Sequence, residues 1–333
     1  MLEQNLINFY KVSPGGNTTV LLNTAQVKPE LRPAWSNIVM NPLHLGAEQV
    51  GFIDWPVACP EEWAKSTNLK IAQNTNETAP KNISFPNKQN LPSLNMMGGE
   101  FCGNACRAYA AILAAEAGKP LPWRGKIAAS GIEEPLSCFV SSYQGQLDSA
   151  IKVPLSAQIS IEPFEGGALV RLPGITHILL PGNEENHLEM PEDLKKCAFN
   201  WKRKLNLLEE PAVGCVWFDF NKQAANMLPL VWVRSTNSYC LETACGSGAM
   251  ALGLYIGTVI NQESCGQPKV KPSAKEEAGI HSTPYSGCSN FYRINQPSGE
   301  ALWLAYNSSQ GKMPEYVWLG GPCRIIARGK TII

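Results

Sequence analysis

Two segments of this 333-residue chain are apolar at nearly every position. The first begins at Ala105 and ends at Ala117, and the second covers Met250 to Ile260. Apolar side chains on all sides of a helix are typical of a helix enclosed by other elements, so both segments predict buried helices. Each is shorter than the roughly 20 residues that cross a bilayer, and Arg107 interrupts the first, which argues against membrane spans.

The segments around these helices are short, alternate between apolar and polar positions and are bounded by turn residues, as in the strands of a curved sheet. A polar helix is predicted from about Pro191 to Leu208, and Glu48–Ile53 looks like the end of a helix running into a strand. The predicted strands are the two runs that flank a Gly-rich turn within Asn8–Leu22, followed by Lys126–Ala129, Leu136–Ser142, Ala150–Val153, Ala168–Leu172, Thr176–Leu180, Val213–Asp219, Leu230–Val233, Phe291–Asn295, Ala301–Tyr306 and Cys323–Ala327.

Three further stretches lack a periodic pattern. Thr67–Ser93 and Cys265–Asn290 are rich in Pro, Lys and small polar residues, so we predict two loop insertions that carry no recognisable chemistry. Pro154–Pro163 is predicted to cross between domains. On both sides of this crossing, strands are followed by a cysteine and then by an apolar helix, and this repeated order indicates a duplication.

The composition points to a cytoplasmic protein that binds a small molecule. The length and the 44% hydrophobic content allow a large core and favour two domains. Lys+Arg and Asp+Glu both number 28, so neither nucleic acid nor an anionic membrane is favoured as a partner. Met1–Val12 lacks the apolar stretch of a secretory signal, and eleven cysteines without regular spacing predict free thiols in a reducing compartment.

Candidate chemistry lies directly before each apolar helix. The chain reads GGEFCGNAC from Gly98 to Cys106, and ETACGSGA from Glu242 to Ala249. Each run places one Cys-Gly-polar step at a predicted helix start, and a glutamate comes shortly before each cysteine. The cysteines concerned are Cys102 and Cys245.

The residue types at these starts suit an anion. Asn104 and Ser247 are types that accept hydrogen bonds from free helix N–H groups, and the small residues beside them let a ligand approach the backbone. A helix start carries unpaired donors and a partial positive charge, so a cysteine there tends to lose its proton and a carboxylate tends to bind there. Asn17 lies in a Gly-rich turn that could place it at the same site, although a turn asparagine often has no ligand.

Two thiols that face one carbon could remove a proton from one side and return it to the other. The carbanion formed between these steps is stabilised if helix N–H groups bind the adjacent carboxylate. Racemisation or epimerisation without a cofactor would follow. The general alternative for any cysteine is an inert buried thiol, which we expect for the other nine cysteines of the chain.

Two other roles for these cysteines need to be considered: metal binding and action as a single nucleophile. Cys102 and Cys106 have C-x3-C spacing, but Tyr109 stands where an iron–sulfur site would need a third cysteine, so no metal is predicted. A nucleophilic cysteine needs a base, and the four histidines are too far away in sequence to form a local motif. Among them, His177 lies in a strand-like run that favours a core position or one that supports the site.

The segments FYKVSPGGNTTVL, EQVGFI, GGEFCGNA and ETACGSGA resemble the diaminopimelate epimerase superfamily of cofactor-independent amino-acid racemases, and most closely the histidine racemases of staphylopine-type metallophore pathways. The resemblance begins at about Asn8, continues to the C-terminus and omits the insertions. It implies an α/β fold of two pseudo-symmetric halves, each a curved, mostly antiparallel sheet wrapped around a central helix. The halves would comprise 1–157, with 320–333 returning as its last strand, and 158–319.

The resemblance also implies roles for individual residues. Cys102 and Cys245 would be the two bases, with no cofactor and no metal. A homodimer is compatible with the resemblance, since relatives often pair. The residues expected to contact the amino-acid substrate are Asn17, Glu48, Gly103, Asn104, His177, Glu242, Gly246 and Ser247.

One departure bears on the substrate. Diaminopimelate epimerases carry a Glu-Arg-Gly run shortly before the second cysteine, where this chain reads Arg-Ser-Thr-Asn at 234–237, so diaminopimelate is disfavoured. The match through EQVGFI favours L-histidine, with Glu48 accepting an imidazole N–H and Glu242 facing the ammonium group. The alternatives are a diaminopimelate epimerase, a racemase for another amino acid, an isomerase or lyase on the same fold, and a non-catalytic amino-acid-binding protein.

Overall fold

The computed structural model describes most of the chain. The described ranges are 6–55, 91–118, 120–143, 145–155, 159–182, 191–220, 224–234, 237–260, 285, 288–308 and 312–333. Most of the two predicted insertions, 67–93 and 265–290, lies outside these ranges.

The chain divides into two compact units, which we call the first and the second unit. The first comprises Met1–Pro14, Thr18–Ile151 and Cys323–Ile333, and the second comprises Gly15–Asn17 and Lys152–Pro322. The described helices are α1 (Arg32–Met40), α2 (Gly103–Glu116), α3 (Pro191–Lys204) and α4 (Gly246–Tyr255), which continues as a π-helical turn, Ile256–Ile260. The described strands are β1 (Leu6–Pro14), β2 (Thr19–Asn23), β3 (Gln49–Ile53), β4 (Ser93–Met96), β5 (Trp123–Ala129), β6 (Leu136–Tyr143), β7 (Gln146–Pro154), β8 (Ser160–Phe164), β9 (Gly167–Leu172), β10 (Ile175–Pro181), β11 (Ala212–Phe220), β12 (Ala225–Val233), β13 (Ser238–Leu241), β14 (Asn290–Asn295), β15 (Ala301–Tyr306) and β16 (Tyr316–Ile332).

The sheet of the first unit closes on itself. Its strand order is β1-β2-β3-β4-β5-β6-β7-β16, and β16 pairs with β1 in antiparallel fashion from Leu6↔Ile332 to Pro14↔Cys323. A parallel pair needs a crossover connection, most often a helix. The parallel pairs β2–β3 and β4–β5 are accordingly connected through α1 and α2. The chain's own C-terminal strand therefore completes the sheet of its first unit.

The second unit repeats this order of elements. Its strand order is β16-β15-β14-β12-β11-β10-β9-β8, with β13 on the side of β12. The parallel pairs β10–β11 and β12–β14 are connected through α3 and α4, and antiparallel β11–β12 lies between them, as β3–β4 does in the first unit. The same alternation of parallel and antiparallel pairs supports the internal duplication inferred from the sequence.

Both apolar helices are buried, as predicted. Every residue of α2 from Gly103 to Ala114 is buried, and the helix contacts β1 to β6 of its own unit. In α4, eight residues are buried, and the helix contacts β9, β10, β14 and β15. A helix this apolar has no face suited to water, so strands of its unit cover it on several sides. The polar helix α3 instead turns Leu194 and Ala198 toward the core and exposes charged residues such as Glu192 and Arg203. One charged residue of α3, Lys202, is buried, with its Nζ 3.1 Å from the centroid of the Trp232 ring.

The structure corrects the sequence prediction at several boundaries. No helix end precedes β3, since α1 ends at Met40 and the residues before Gln49 are irregular. The predicted crossing Pro154–Pro163 contains the start of β8 at Ser160. Strand β12 begins at Ala225 rather than Leu230, because pairing with β11 continues through Pro229, which lies opposite Val216.

Other elements were missed or underestimated. The sequence reading omitted α1, β4, β8 and β13, and it limited β16 to a short central part of its length. Some of these elements are short, and others are strands paired on both sides, so the alternation of apolar and polar residues in their sequences is weak. No helix in the described part of the chain has the length and apolar content needed to cross a membrane.

Candidate active site

Cys102 is the N-cap of α2. Its backbone is extended, with φ −129° and ψ 106°, and its Sγ accepts a hydrogen bond from the backbone N–H of Ala105 at 3.4 Å. An N-cap side chain satisfies one of the helix's unpaired donors, a role usually taken by Ser, Thr, Asp or Asn. Here the sulfur itself lies at the positive end of the helix.

Cys245 occupies the same position in the second unit. It caps α4 with φ −122° and ψ 108°, and its Sγ accepts the backbone N–H of Gly248, also at 3.4 Å. The sequence suggested Asn104 and Ser247 as the capping types, but both lie two positions later, inside the helices. The cysteines are the caps, because theirs are the side chains that fold back onto the third helical residue.

The electrostatic balance at Cys245 opposes ionisation. Burial raises the pKa of this thiol well above its ordinary value, and the charge and hydrogen bond of Glu242 raise it further. Contacts with Ser247 and with the Gly248 N–H lower the pKa, but they are outweighed. At Cys245 the effect of the helix start is thus opposed by burial, because desolvation disfavours a thiolate.

Gln49 is a neighbour of Cys102 that the sequence reading missed. The Cys102 thiol donates to Gln49 Oε1 at 3.0 Å. Gln49 begins β3, directly after Glu48, within the EQVGFI segment that carried part of the resemblance. The segment was therefore recognised, but which of its side chains contacts the thiol depends on the facing direction of β3.

Gln296 has a comparable position in the second unit. Its Oε1 accepts the backbone N–H of Cys245 at 3.0 Å, and its own amide donates to the Ile294 carbonyl at 3.0 Å. The sequence offers no signal for this contact, because Gln296 is about 50 residues away from Cys245 and directly follows β14. It fixes the backbone from which the Cys245 side chain projects.

Asn104 is held by a buried arginine. Arg107, one helical turn later, donates from Nη1 to Asn104 Oδ1 at 3.4 Å and from Nε to the Ser149 carbonyl at 2.8 Å. Arg107 is completely buried, and Asn104 is 1% exposed. The residue that interrupts the apolar pattern of α2 thus reaches one of the predicted carboxylate-binding residues.

Ser247 is contacted by His177. Nε2 of His177 lies 3.0 Å from Ser247 Oγ, which in turn lies 3.5 Å from Cys245 Sγ. Burial lowers the pKa of His177 to about 3, so the imidazole is neutral at physiological pH. Within the described residues its Nδ1 has no hydrogen-bond partner. Gly214 makes space for the ring, because a Cβ at that position would lie 2.2 Å from Nδ1.

Asn17 and Glu48 are anchored to backbone groups of their own units. Asn17 is fully buried, and its Nδ2 donates to the carbonyl of Ala244, the residue before Cys245, at 3.3 Å. Glu48 is half-buried, and its Oε1 accepts the backbone N–H of Thr18 at 3.1 Å. This contact ties Glu48 to Thr18, the residue that directly precedes β2.

The two small residues after the cysteines complete the helix starts. Gly103 and Gly246 are the first residues of α2 and α4, and both are buried. In the first unit the structure thus brings together Cys102, Gly103 and Asn104, and in the second Cys245, Gly246, Ser247, Glu242, His177 and Asn17. Glu48 belongs to the first unit, next to Gln49.

The remaining cysteines form no metal centre among the described residues. The described cysteines are all free thiols, and no group of three His, Cys, Asp or Glu side chains there could hold a metal ion. Cys106 is completely buried, and burial raises its pKa well above the ordinary value. It packs as an apolar residue inside α2, as expected for a structural cysteine.

Solved structures of similar fold define the class. A hydroxyproline epimerase from Agrobacterium vitis superposes with a TM-score of 0.57 at 9% identity, covering 100% of this chain and 94% of the other. A phenazine biosynthesis protein of the PhzF family from Enterococcus faecalis gives a TM-score of 0.52 at 13% identity, covering 98% and 100%. The chain therefore has the two-domain α/β fold of epimerases and PhzF-like proteins.

Sequence comparison then gives the family. Residues 82–275 match the family described as "Histidine racemase CntK N-terminal domain". Since this match takes in more than half of the chain, the chain belongs to that family. A histidine racemase from Fusobacterium nucleatum subsp. nucleatum is 28% identical over 344 aligned positions, covering 98% of each chain. The protein is thus an isomerase of the amino-acid racemase class.

Proposed function

We propose that this protein interconverts L- and D-histidine without a cofactor, with Cys102 and Cys245 as its two bases. The observation that carries the proposal is the matched pair of cysteine N-caps, one at the start of the buried helix of each unit, with the same backbone conformation and the same 3.4 Å bond to a helix N–H. Membership of the histidine racemase CntK family supports histidine as the substrate.

Inversion at the α-carbon needs one base on each face of that carbon. In the proposed cycle, the Cys102 thiolate removes the α-proton and becomes a thiol. The Cys245 thiol then gives its proton to the opposite face and becomes a thiolate, so one proton leaves the carbon and one arrives. The cycle is written with Cys245 starting as the thiol because burial and Glu242 raise the pKa of Cys245. The reverse reaction exchanges the two roles.

The proposal assigns the helix starts to the substrate carboxylate. Backbone N–H groups at Gly103 and Gly246, with the side chains of Asn104 and Ser247, would bind the carboxylate oxygens. Negative charge spreads onto these oxygens when the α-proton leaves, and preorganised donors stabilise that charge without reorganisation. His177 would act through Ser247, since its ring is buried and its Nε2 reaches the Ser247 hydroxyl.

The remaining contacts would set specificity. We propose that Glu48 accepts the imidazole N–H of histidine and that Glu242 faces the substrate ammonium group. Glu242 already interacts with the Cys245 thiol, so an ammonium there would also lessen its effect on the thiol pKa. Asn17 would contact the amino acid while its amide holds the Ala244 carbonyl in place.

The finer architecture and the biological role are part of the same proposal. We propose the arrangement of diaminopimelate epimerases, in which each half wraps a curved sheet around its central helix, with halves at 1–157 plus 320–333 and 158–319. The protein would act in the cytoplasm on a small-molecule substrate. D-Histidine would serve as a building block for an opine-type metallophore.

The test is proton NMR of L-histidine in D2O with purified protein and no added cofactor, alongside a chiral assay. Loss of the α-proton signal together with growth of D-histidine is the expected result. If histidine stays unchanged while another amino acid exchanges its α-proton, the substrate assignment is wrong but the racemase chemistry stands. Binding of amino acids without any exchange would contradict the proposed chemistry.

A further inference from the structure

The two ring nitrogens of His177 have different surroundings. Nε2 lies 3.0 Å from Ser247 Oγ, whereas Nδ1 has no hydrogen-bond partner in the part of the chain that the structure describes. The ring is fully buried and neutral at physiological pH, because burial lowers its pKa to about 3. A neutral imidazole carries one hydrogen, so one nitrogen donates and the other only accepts. The position of this hydrogen therefore decides the direction of the bond to Ser247.

Two observations favour a hydrogen on Nε2 of His177. A hydrogen on Nδ1 would be a buried N–H without an acceptor, and such donors are rarer in proteins than buried acceptors without a donor. In addition, a Cβ at Gly214 would overlap Nδ1, so the glycine hydrogen that takes the place of that Cβ points at this nitrogen. A lone pair can face a C–H group, whereas an N–H would set two hydrogens against each other.

The direction of this bond determines what Ser247 offers to Cys245. If Nε2 donates to Ser247 Oγ, the hydroxyl turns its own hydrogen away from the ring. Among the described residues, the other hydrogen-bond neighbour of Oγ is Cys245 Sγ at 3.5 Å. A bond donated to this sulfur agrees with the effect of Ser247, which lowers the pKa of the thiol. With the hydrogen on Nδ1, Ser247 would donate to the ring and offer the sulfur only lone pairs.

We propose that His177 is a positioning residue whose Nε2–H makes the Ser247 hydroxyl a hydrogen-bond donor to the Cys245 thiolate. This inference rests on the proposed function, in which Cys245 becomes a thiolate when it gives its proton to the α-carbon. The sulfur already accepts the Gly248 N–H at 3.4 Å. Ser247 adds a second, preorganised donor at the stage when negative charge develops there. Before that step, the same hydrogen can serve the carboxylate assigned to this helix start.

A purely structural role for His177 is the alternative. The ring would then only fill the space beside Gly214, and its loss would disturb α4 whether or not the Ser247 hydroxyl is present. The two roles differ in the tautomer of the ring. They also differ in whether the effects of substituting His177 and Ser247 depend on each other.

The direct test is the tautomer of His177, read from long-range proton–nitrogen correlation spectra of protein that carries isotope-labelled histidine. The signals of His177 are those missing from the spectrum of His177→Gln. A ring nitrogen with a hydrogen and one with a lone pair resonate in well-separated ranges, so the spectrum identifies the protonated nitrogen. We expect the hydrogen on Nε2. This measurement does not depend on enzymatic activity.

Steady-state kinetics give the second readout. His177→Leu removes the donor, so we expect kcat for histidine racemisation to fall about tenfold. His177→Gln provides an amide N–H in place of Nε2–H and should retain most of the wild-type kcat. His44→Leu, the same substitution at a histidine of the first unit that contacts the Ile332 carbonyl, is the matched control and should retain the wild-type kcat.

A double-mutant cycle tests whether His177 acts through Ser247. In a Ser247→Ala background, His177→Leu should lower kcat no further, because the hydroxyl that it orients is gone. Ser247→Ala alone should lower kcat about tenfold, since the thiolate loses one donor. This variant keeps His177 intact and therefore tests the inference even if His177→Leu does not fold.

The outcomes separate the two roles. A hydrogen on Nδ1, an undiminished effect of His177→Leu in the Ser247→Ala background, or a wild-type kcat in Ser247→Ala would overturn the inference while leaving the racemase proposal intact. An equal loss of kcat in His177→Gln and His177→Leu would also count against it. Wild-type protein that exchanges no α-proton of histidine would overturn the proposed function, whatever the tautomer of His177.

Discussion

Nε2 of His177 lies 3.0 Å from Oγ of Ser247, two positions after Cys245. The ring is completely buried, and burial lowers its pKa to about 3. The second unit therefore presents a neutral imidazole behind its helix start, where the first unit presents the cation of Arg107. The two starts share their caps but are supported by different chemistry.

The buried histidine should make stability depend on pH. The pKa is about 6.5 in an unfolded chain and about 3 in the folded protein, so between these values the unfolded state binds more protons. Stability is fully present above pH 6.5 and is lost as the pH falls toward 3. Between pH 7 and pH 4.5, the free energy of unfolding of His177→Gln should fall by roughly 2–3 kcal/mol less than that of the wild type, measured by urea unfolding. Parallel pH profiles for the two proteins would contradict this assignment.

Replacing either capping cysteine should abolish racemisation. Cys102→Ser and Cys245→Ser keep a side chain that can cap the helix, since serine is itself a good N-cap. Each variant loses a base that ionises far more readily than a hydroxyl, so we expect the rate of D-histidine formation to fall by about a thousandfold or more.

Cys240→Ser, at an exposed position of β13, is the control for these variants and should remain active. Thermal unfolding would verify that all three variants are folded. Substantial turnover by either capping-cysteine variant would rule out the two-base mechanism.

Gly248 is constrained by the thiol that it contacts. A Cβ at this position would lie 3.2 Å from Cys245 Sγ, 2.8 Å from Met227 Cε and 3.3 Å from Val216 Cγ2. We therefore expect Gly248→Ala to displace the thiol and lower kcat at least tenfold, even though alanine favours helix formation.

The equivalent third helical position of α2 is Ala105, which provides a matched comparison. Ala105→Gly should lower the free energy of unfolding by about 1 kcal/mol through helix propensity, and it should retain more activity than Gly248→Ala. Steady-state kinetics and chemical unfolding of both variants would test this ranking of their activities. A Gly248→Ala variant more active than Ala105→Gly would contradict it.

Glu242 should control the ionisation of Cys245. Burial is the largest cause of the raised thiol pKa, and the carboxylate adds its charge and a hydrogen bond. Glu242→Gln removes the charge, so the pKa of Cys245 should fall while staying above its ordinary value.

This shift can be followed through thiolate absorbance at 240 nm in a pH titration. Subtracting the titration of Glu242→Gln/Cys245→Ser isolates the signal of one cysteine, and wild type minus Cys245→Ser gives the reference. In the difference titration of the Glu242→Gln background, we expect Cys245 to begin ionising at a lower pH than in the wild-type background. An onset at the same or higher pH would show that Glu242 does not act on this thiol.

Much of the fold could be predicted from the sequence. The all-round apolar character of α2 and α4 identified them as buried helices, and alternation located most strands within a few residues. The failures share a cause. Strand β12 continues through Pro229, and β13 is a short strand on its side, so both depend on pairing with strands that are distant in sequence.

The cysteine motifs were also visible, and their repetition indicated paired chemistry. The side chains that act on them were harder to find. Gln49 and Gln296 contact the two cysteines from about 50 residues away in sequence, and neither lies in a pattern that marks it. Arg107 was noticed only as an interruption of an apolar run.

The sequence by itself determined the repeated order of elements, the two buried helices and the Cys-Gly-polar step at each helix start, because these follow from local periodicity and residue type. The tertiary structure alone decided that the thiols are the caps, that burial and Glu242 raise the pKa of Cys245, and that Arg107 and His177 contact Asn104 and Ser247. Those properties depend on burial and on directed contacts between distant strands and helices, and such contacts exist only once the chain has folded.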